Sequence, residues 1–142
     1  MPEKLKVNYI DHICIAVKDL KKAEEDYTNA FGWERAYHYV DEPEKIKVTG
    51  FRIGNTPTCV EIMEDLDGTG DIARFIAKHG EGVMLMSYNV DDCGKAIETL
   101  KKNKVRMIDE KPRFFAEYKR NYAFIHPAPM HGILTEVIDG KQ

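Results

Sequence analysis

Residues 9–17 read Tyr9-Ile10-Asp11-His12-Ile13-Cys14-Ile15-Ala16-Val17, and this stretch decides the fold. It is mostly apolar and β-branched, which predicts a buried strand. Lys18-Asp19 follows. Leu20, Ala23, Tyr27, Ala30 and Phe31 then recur at spacings that lay one apolar stripe along a helix. Asp19 is placed to cap that helix by accepting from its orphan amides, and Gly32 to end it in a left-handed conformation. Further strands are predicted over 36–40, 47–53 and 58–63. The order is β-α-β-β-β.

The same order returns after Gly82. Residues 83–90, VMLMSYNV, are strand-like, and Asp91-Asp92 leads into a helix carrying Ala96, Ile97 and Leu100 that fades at Asn103. Strands are expected over 106–109, 121–125 and 133–138. Adding 73 carries Val17, Asp19, Lys22 and Ala23 onto Val90, Asp92, Lys95 and Ala96. At the end of each half, Val60-Glu61-Ile62 matches Thr135-Glu136-Val137 at an offset of 75. An internal repeat organises the whole chain. The expectation is one domain over 1–142, with a first module at 7–66, a connecting turn and helix at 67–81, and a second module at 82–139.

Composition bounds the function. The chain has 142 residues, 43% hydrophobic and 32% charged, with a formal charge of −3. That is a globular composition. It lacks the basic excess a nucleic-acid partner selects. No apolar run approaches the roughly 18 residues of a membrane span. The first twelve residues contain no apolar stretch of the kind a secretory signal needs, so the cytoplasm is the expected compartment. Cys14, Cys59 and Cys93 form no CxxC pair, which points to neither a disulfide scaffold nor a cysteine zinc site. Asp65-x-Asp67 hints at a calcium loop, but its twelfth position is Ile76 rather than a glutamate.

Three polar residues stand inside apolar strands. His12 lies in the first, Glu61 between Val60 and Ile62, and Glu136 between Thr135 and Val137. A buried ionised carboxylate is costly unless it is paired or bound to a metal. A lone strand histidine is ordinarily a hydrogen-bonded structural residue, and a lone strand glutamate ordinarily faces solvent. The two glutamates, however, occupy equivalent places in a repeat, and two such modules related by a pseudo-twofold axis would aim all three residues into one cavity. His12 maps to position 85, which is Leu85.

Taken in order, these stretches resemble the vicinal oxygen chelate superfamily, most closely its methylmalonyl-CoA epimerases and their relative glyoxalase I (lactoylglutathione lyase). The stretches that carry the resemblance are Asp11-His12-Ile13, Phe31-Gly32-Trp33-Glu34, Gly54-Asn55-Thr56, Glu61-Ile62, Asp71-Ile72-Ala73, Gly80-Glu81-Gly82, Val90-Asp91-Asp92, Phe124-Ile125-His126-Pro127 and Gly132-Ile133-Leu134-Thr135-Glu136. The resemblance implies an α+β fold, two tandem βαβββ modules forming a cup-shaped mixed sheet. It also implies a divalent metal (Co, Ni, Zn or Mn) held by His12, Glu61 and Glu136. The fourth ligand position falls on Leu85, between Met84 and Met86, none of which offers a hard ligand. The implied activity is epimerase, isomerase or lyase chemistry: proton transfer next to a carbonyl of a small-molecule substrate, through a metal-stabilised enediolate. Glu136 is the expected base, and Glu61 a ligand and second acid/base. A homodimer is the expected assembly. A further carboxylate of the epimerases falls in register on Lys47 or Thr49.

Leu85 keeps an alternative open, a metal-free protein that binds small molecules as the family's drug-sequestering members do, or that uses Glu61 and Glu136 as a metal-free acid/base pair. Dioxygenase chemistry needs two histidines and a carboxylate on iron and ranks last. Phe114, Phe115, Tyr118 and Tyr122, with Leu85, are the candidate substrate-stacking wall. The competing reading is a hairpin packed on a dimer partner. His131 stands five residues before Glu136 and so on the opposite face of an extended strand. His126 is read as a turn residue, and His38 and His79 as surface residues.

Overall fold

The computed structural model describes residues 2–141. The strands are β1 (Tyr9–Ala16), β2 (Arg35–Asp41), β3 (Ile46–Arg52), β4 (Cys59–Asp65), β5 (Gly82–Asn89), β6 (Arg113–Phe115), β7 (Arg120–Ile125) and β8 (Leu134–Ile138). The helices are α1 (Leu20–Phe31), α2 (Asp71–His79) and α3 (Cys93–Lys102), with a single 3-10 turn at Ala128–Met130. The fold is α+β and repeats βαβββ, as the sequence predicts. Two compact units divide the chain, His12–Met84 and a second formed by 2–11 with 85–141.

In the His12–Met84 unit the strand order is β2-β3-β4-β1. β1 and β4 run parallel, with Cys14 opposite Glu61, while the β2–β3 and β3–β4 pairs are antiparallel. One sheet face carries Val17, Phe51 and Ile62, which pack with Leu20 of α1 and with Ala23, Tyr27 and Trp33. Asp19 caps α1 by accepting from Lys22 N at 3.1 Å, and Gly32 closes it at φ 70°. The apolar stripe ends sooner than its spacing suggests. Ala30 is exposed, and Phe31, 62% exposed, stacks on Trp33 instead of entering the core.

In the second unit the order is β5-β8-β7-β6. β5 and β8 are parallel, with Leu85 opposite Leu134 and Ser87 opposite Glu136. Cys93, Ala96, Ile97 and Leu100 of α3 bury against Val90, Ala123, Ile125 and Val137. Asp11 belongs to this unit and forms a buried ion pair with Arg120, which Asn89 extends by donating to Asp11 at 3.0 Å.

The strand expected over 106–109 is not formed. A single bridge joins Met107 to Ile125, and the edge strand is instead β6. Asp109 explains the shift. Its carboxylate accepts from Phe124 N at 2.9 Å and from Arg113 Nε at 3.0 Å, which turns the chain before pairing can continue. Lys111-Pro112 then carries it to β6, and Pro112 has no amide for a ladder.

Candidate functional site

Side chains alternate along a strand. With Ile15 and Ile62 on the α1 face of the first unit, His12, Cys14, Cys59 and Glu61 all fall on the opposite face. Register carries the row onward: Cys14 pairs with Glu61, Glu61 with Gly50, and Gly50 with Tyr37.

Glu61 is the centre of this row. It is 5% exposed, and Tyr37 donates its hydroxyl to Oε2. Oε1 faces Cys14 Sγ at 3.7 Å and His12 Nε2 at 3.9 Å. Gly50 makes the tyrosine contact possible. A Cβ built there would lie 2.1 Å from Tyr37 Cζ, so the ring occupies the space that a side chain would fill. Burial, then the nearby Glu61 carboxylate, pushes the Tyr37 phenol far above its usual range, and it stays a donor.

The second unit repeats the pattern. Glu136, 6% exposed, accepts from Ser87 Oγ at 2.5 Å. Ser87 is Cys14 shifted by 73, and each stands opposite the glutamate of its own module. Leu85 is buried opposite Leu134. Phe115, Tyr122 and Phe124 share the face of Glu136, since Phe124 pairs with Glu136 and Arg113 with Tyr122. Phe115 meets Tyr118 edge-on at 5.2 Å, and the Arg113 guanidinium lies over Phe124 at 4.9 Å. Phe114, paired with Asn121, alternates to the other face and is 59% exposed.

The remaining expectations have definite places. His126 Nδ1 accepts from Ala128 N at 3.1 Å within its turn. His131 is exposed at φ 58° beyond the 3-10 turn, and His38 and His79 are exposed. Lys47 pairs with Glu64 at 2.9 Å, and the Thr49 hydroxyl donates to Glu24 at 3.3 Å. Both residues lie on the α1 face, so β3 turns Val48 and Gly50 toward Glu61 and offers it no carboxylate.

A divalent ion can be tested against this donor set. His12, Cys14 and Glu61 are all buried, and one ligand atom of each lies within 4.8 Å of the others. Bonds of about 2.0–2.3 Å from a tetrahedral ion set donors roughly 3.3–3.8 Å apart, inside that bound by about 1.0–1.5 Å. An imidazole and a carboxylate oxygen at 3.9 Å fit, and the thiol is the added donor. Three of these residues escape a reading of single positions. Cys14 is betrayed only by standing two residues after His12, and Ser87 only by the repeat. Tyr37 gives no signal until the β2–β3–β4 register is known.

A family model for the glyoxalase/bleomycin resistance protein/dioxygenase superfamily matches residues 11–124. The chain belongs to that superfamily. Among its members, human mitochondrial methylmalonyl-CoA epimerase is 33% identical over 130 residues, covering 90% of this chain and 72% of the relative. The superfamily fold extends over the full length: a methylmalonyl-CoA epimerase from Mycobacterium tuberculosis superposes with a TM-score of 0.89 at 26% identity, covering 100% of this chain and 94% of the other. A Streptomyces coelicolor methylmalonyl-CoA epimerase variant, solved with 2-nitronate-propionyl-CoA, gives 0.87 at 26% identity, covering 95% and 99%. The superfamily match begins at Asp11-His12 and includes Glu61; Glu136 lies beyond it.

Proposed function

We propose that this protein is an epimerase that moves a proton at the carbon next to a carbonyl, with a small acyl-CoA thioester as substrate. The observation that carries the proposal is the pair of buried glutamates, Glu61 and Glu136, at equivalent strand positions of the two modules, each facing a side-chain donor on the neighbouring parallel strand. Similarity to enzymes named methylmalonyl-CoA epimerase supports the same reading.

In this mechanism Glu136 removes the substrate proton, and the Ser87 hydroxyl fixes the carboxylate orientation through its 2.5 Å hydrogen bond. Returning a proton to the opposite face of the carbon inverts its configuration, and Glu61 is the second acid/base. Tyr37 anchors Glu61 through Oε2 and leaves Oε1 toward His12. His12 and Glu61 would hold a divalent ion, with Glu136 the third ligand only as the family resemblance assigns it, and such an ion would supply Lewis-acid stabilisation of negative charge on a substrate oxygen. Tyr122 and Phe115, on the Glu136 face, contact the substrate body. The working assembly is a homodimer, checked by sedimentation equilibrium.

Exchange of the substrate α-proton for deuterium, followed by NMR with methylmalonyl-CoA and ethylmalonyl-CoA in D2O, tests the proposal. The metal-supplemented protein exchanges the proton, and Glu136→Gln slows exchange by about 10²–10⁴-fold, the range expected for a general base. Absence of exchange with both thioesters would overturn it.

A further inference from the structure

We infer that Cys14 is a metal ligand, so that the first module offers a nitrogen, oxygen and sulfur donor set. The inference rests on the metal-assisted reading above and specifies its chemistry.

A cysteine in a buried strand is ordinarily a small apolar filler. Cys93 is such a residue here. It packs among Val90, Ala96, Ile97 and Val137, and its Sγ lies 3.9 Å from the Val137 carbonyl oxygen. Cys14 is as deeply buried, at 1% exposure, but its surroundings are ionisable. It follows His12 by two residues on β1, so both side chains leave the same face, and it stands in register with Glu61. Its Sγ lies 3.7 Å from Glu61 Oε1, the oxygen that is also 3.9 Å from His12 Nε2.

Tyr37 explains why that oxygen is the one presented. By donating to Oε2 it turns Oε1 toward both the imidazole and the thiol. Tetrahedral donors at metal bond lengths of about 2.0–2.3 Å are separated by roughly 3.3–3.8 Å. The two separations from Glu61 Oε1, 3.7 and 3.9 Å, therefore close by only tenths of an ångström, and the imidazole and the thiol, within 4.8 Å of each other, by at most about 1.5 Å. The set also makes good a loss. The resemblance places a ligand at position 85, which is Leu85, whereas Cys14 adds a donor from within the first module. A thiolate shifts preference toward zinc and cobalt and away from magnesium and calcium. On binding, the thiol proton is released to solvent, so affinity rises with pH.

Cobalt(II) titration of the metal-stripped full-length protein decides the matter. Wild type binds one equivalent and develops a near-ultraviolet sulfur-to-cobalt charge-transfer absorption. Cys14→Ser loses that absorption and binds more weakly by more than about tenfold. Cys59→Ser, on the same sheet face, keeps both properties. Should Cys14→Ser fail to fold, persistence of the absorption in both Cys59→Ser and Cys93→Ser assigns it to Cys14 by elimination. One equivalent bound by wild type without the absorption, or an absorption that survives Cys14→Ser, overturns the inference and leaves the metal reading standing. If wild type binds neither cobalt, zinc nor nickel at micromolar concentration, the inference and the metal reading fall together, and the exchange assay alone then judges the epimerase.

Discussion

Tyr37 reaches Glu61 across an intervening strand, and it does so over a residue that has no side chain. The phenol donates to Oε2, and the ring lies where a Cβ on Gly50 would stand. Gly50 is therefore needed for space, in an ordinary extended strand. Gly50→Ala forces the ring aside and costs about 1–3 kcal/mol, the usual penalty of overpacking. Urea unfolding of Gly50→Ala, Tyr37→Ala and the double variant checks the cause: the alanine at 50 should lose most of its penalty once the ring is gone. Tyr37→Phe keeps the ring and removes only the donor. On the proposed function, with Glu61 a metal ligand, its exchange activity falls by about 10–100-fold, as expected when a ligand loses its orienting partner.

Ser87→Ala should be felt most at Glu136. The 2.5 Å hydrogen bond is buried, and deleting the hydroxyl removes a donor from a carboxylate that is 6% exposed. Loss of one buried hydrogen-bond partner costs about 1–3 kcal/mol. Ser87→Cys restores the residue type found at the equivalent position, Cys14, and recovers part of that stability. Chemical denaturation of the three proteins measures both steps.

Much of this is legible in the sequence itself. The cap at Asp19 and the left-handed Gly32 follow from local patterns whose physical cause is short-range, whereas the inward placement of Glu61 and Glu136 is read only from their equivalence in the repeat. What the pattern does not encode is register. Tyr37 and Gly50 lie 24 and 11 residues before Glu61 in the sequence, and only strand pairing sets them beside it. The missed edge strand has a similar origin. Residues 106–109 have strand-forming composition, but the Asp109 carboxylate captures the Phe124 amide and Arg113, and that tertiary contact overrides local preference.

Asp11 and Arg120 form an ion pair in which each side chain is 3% exposed. Asn89 donates to the same aspartate, and Arg120 Nε donates to the Asp139 carbonyl at 2.9 Å. Removing one partner strands the other charge. Asp11→Ala destabilises the protein by about 3–5 kcal/mol. Replacing both residues with apolar ones of similar volume costs much less, because no uncompensated charge remains. Thermal and urea unfolding of the single and paired variants distinguish these outcomes.

Glu24 links α1 to β2 and gives the protein an acid-sensitive contact. Its two oxygens accept from Arg35 Nε at 2.7 Å and Nη2 at 2.9 Å. These hydrogen bonds, opposed by partial burial, hold its carboxyl below the ordinary value of 4.5. A depressed folded-state pKa adds stability that is fully present above the unfolded value and is lost as pH falls through the folded one. Wild type should therefore exceed Arg35→Ala in stability near neutral pH, and the gap should close as pH drops below 4.5. Arg35 is half exposed, so solvent screening keeps the gap to at most about 1 kcal/mol. Added salt narrows it at neutral pH for the same reason. Melting temperatures of both proteins across the acid range read the effect directly, and a gap that widened with acid would show that Arg35 acts through something other than Glu24.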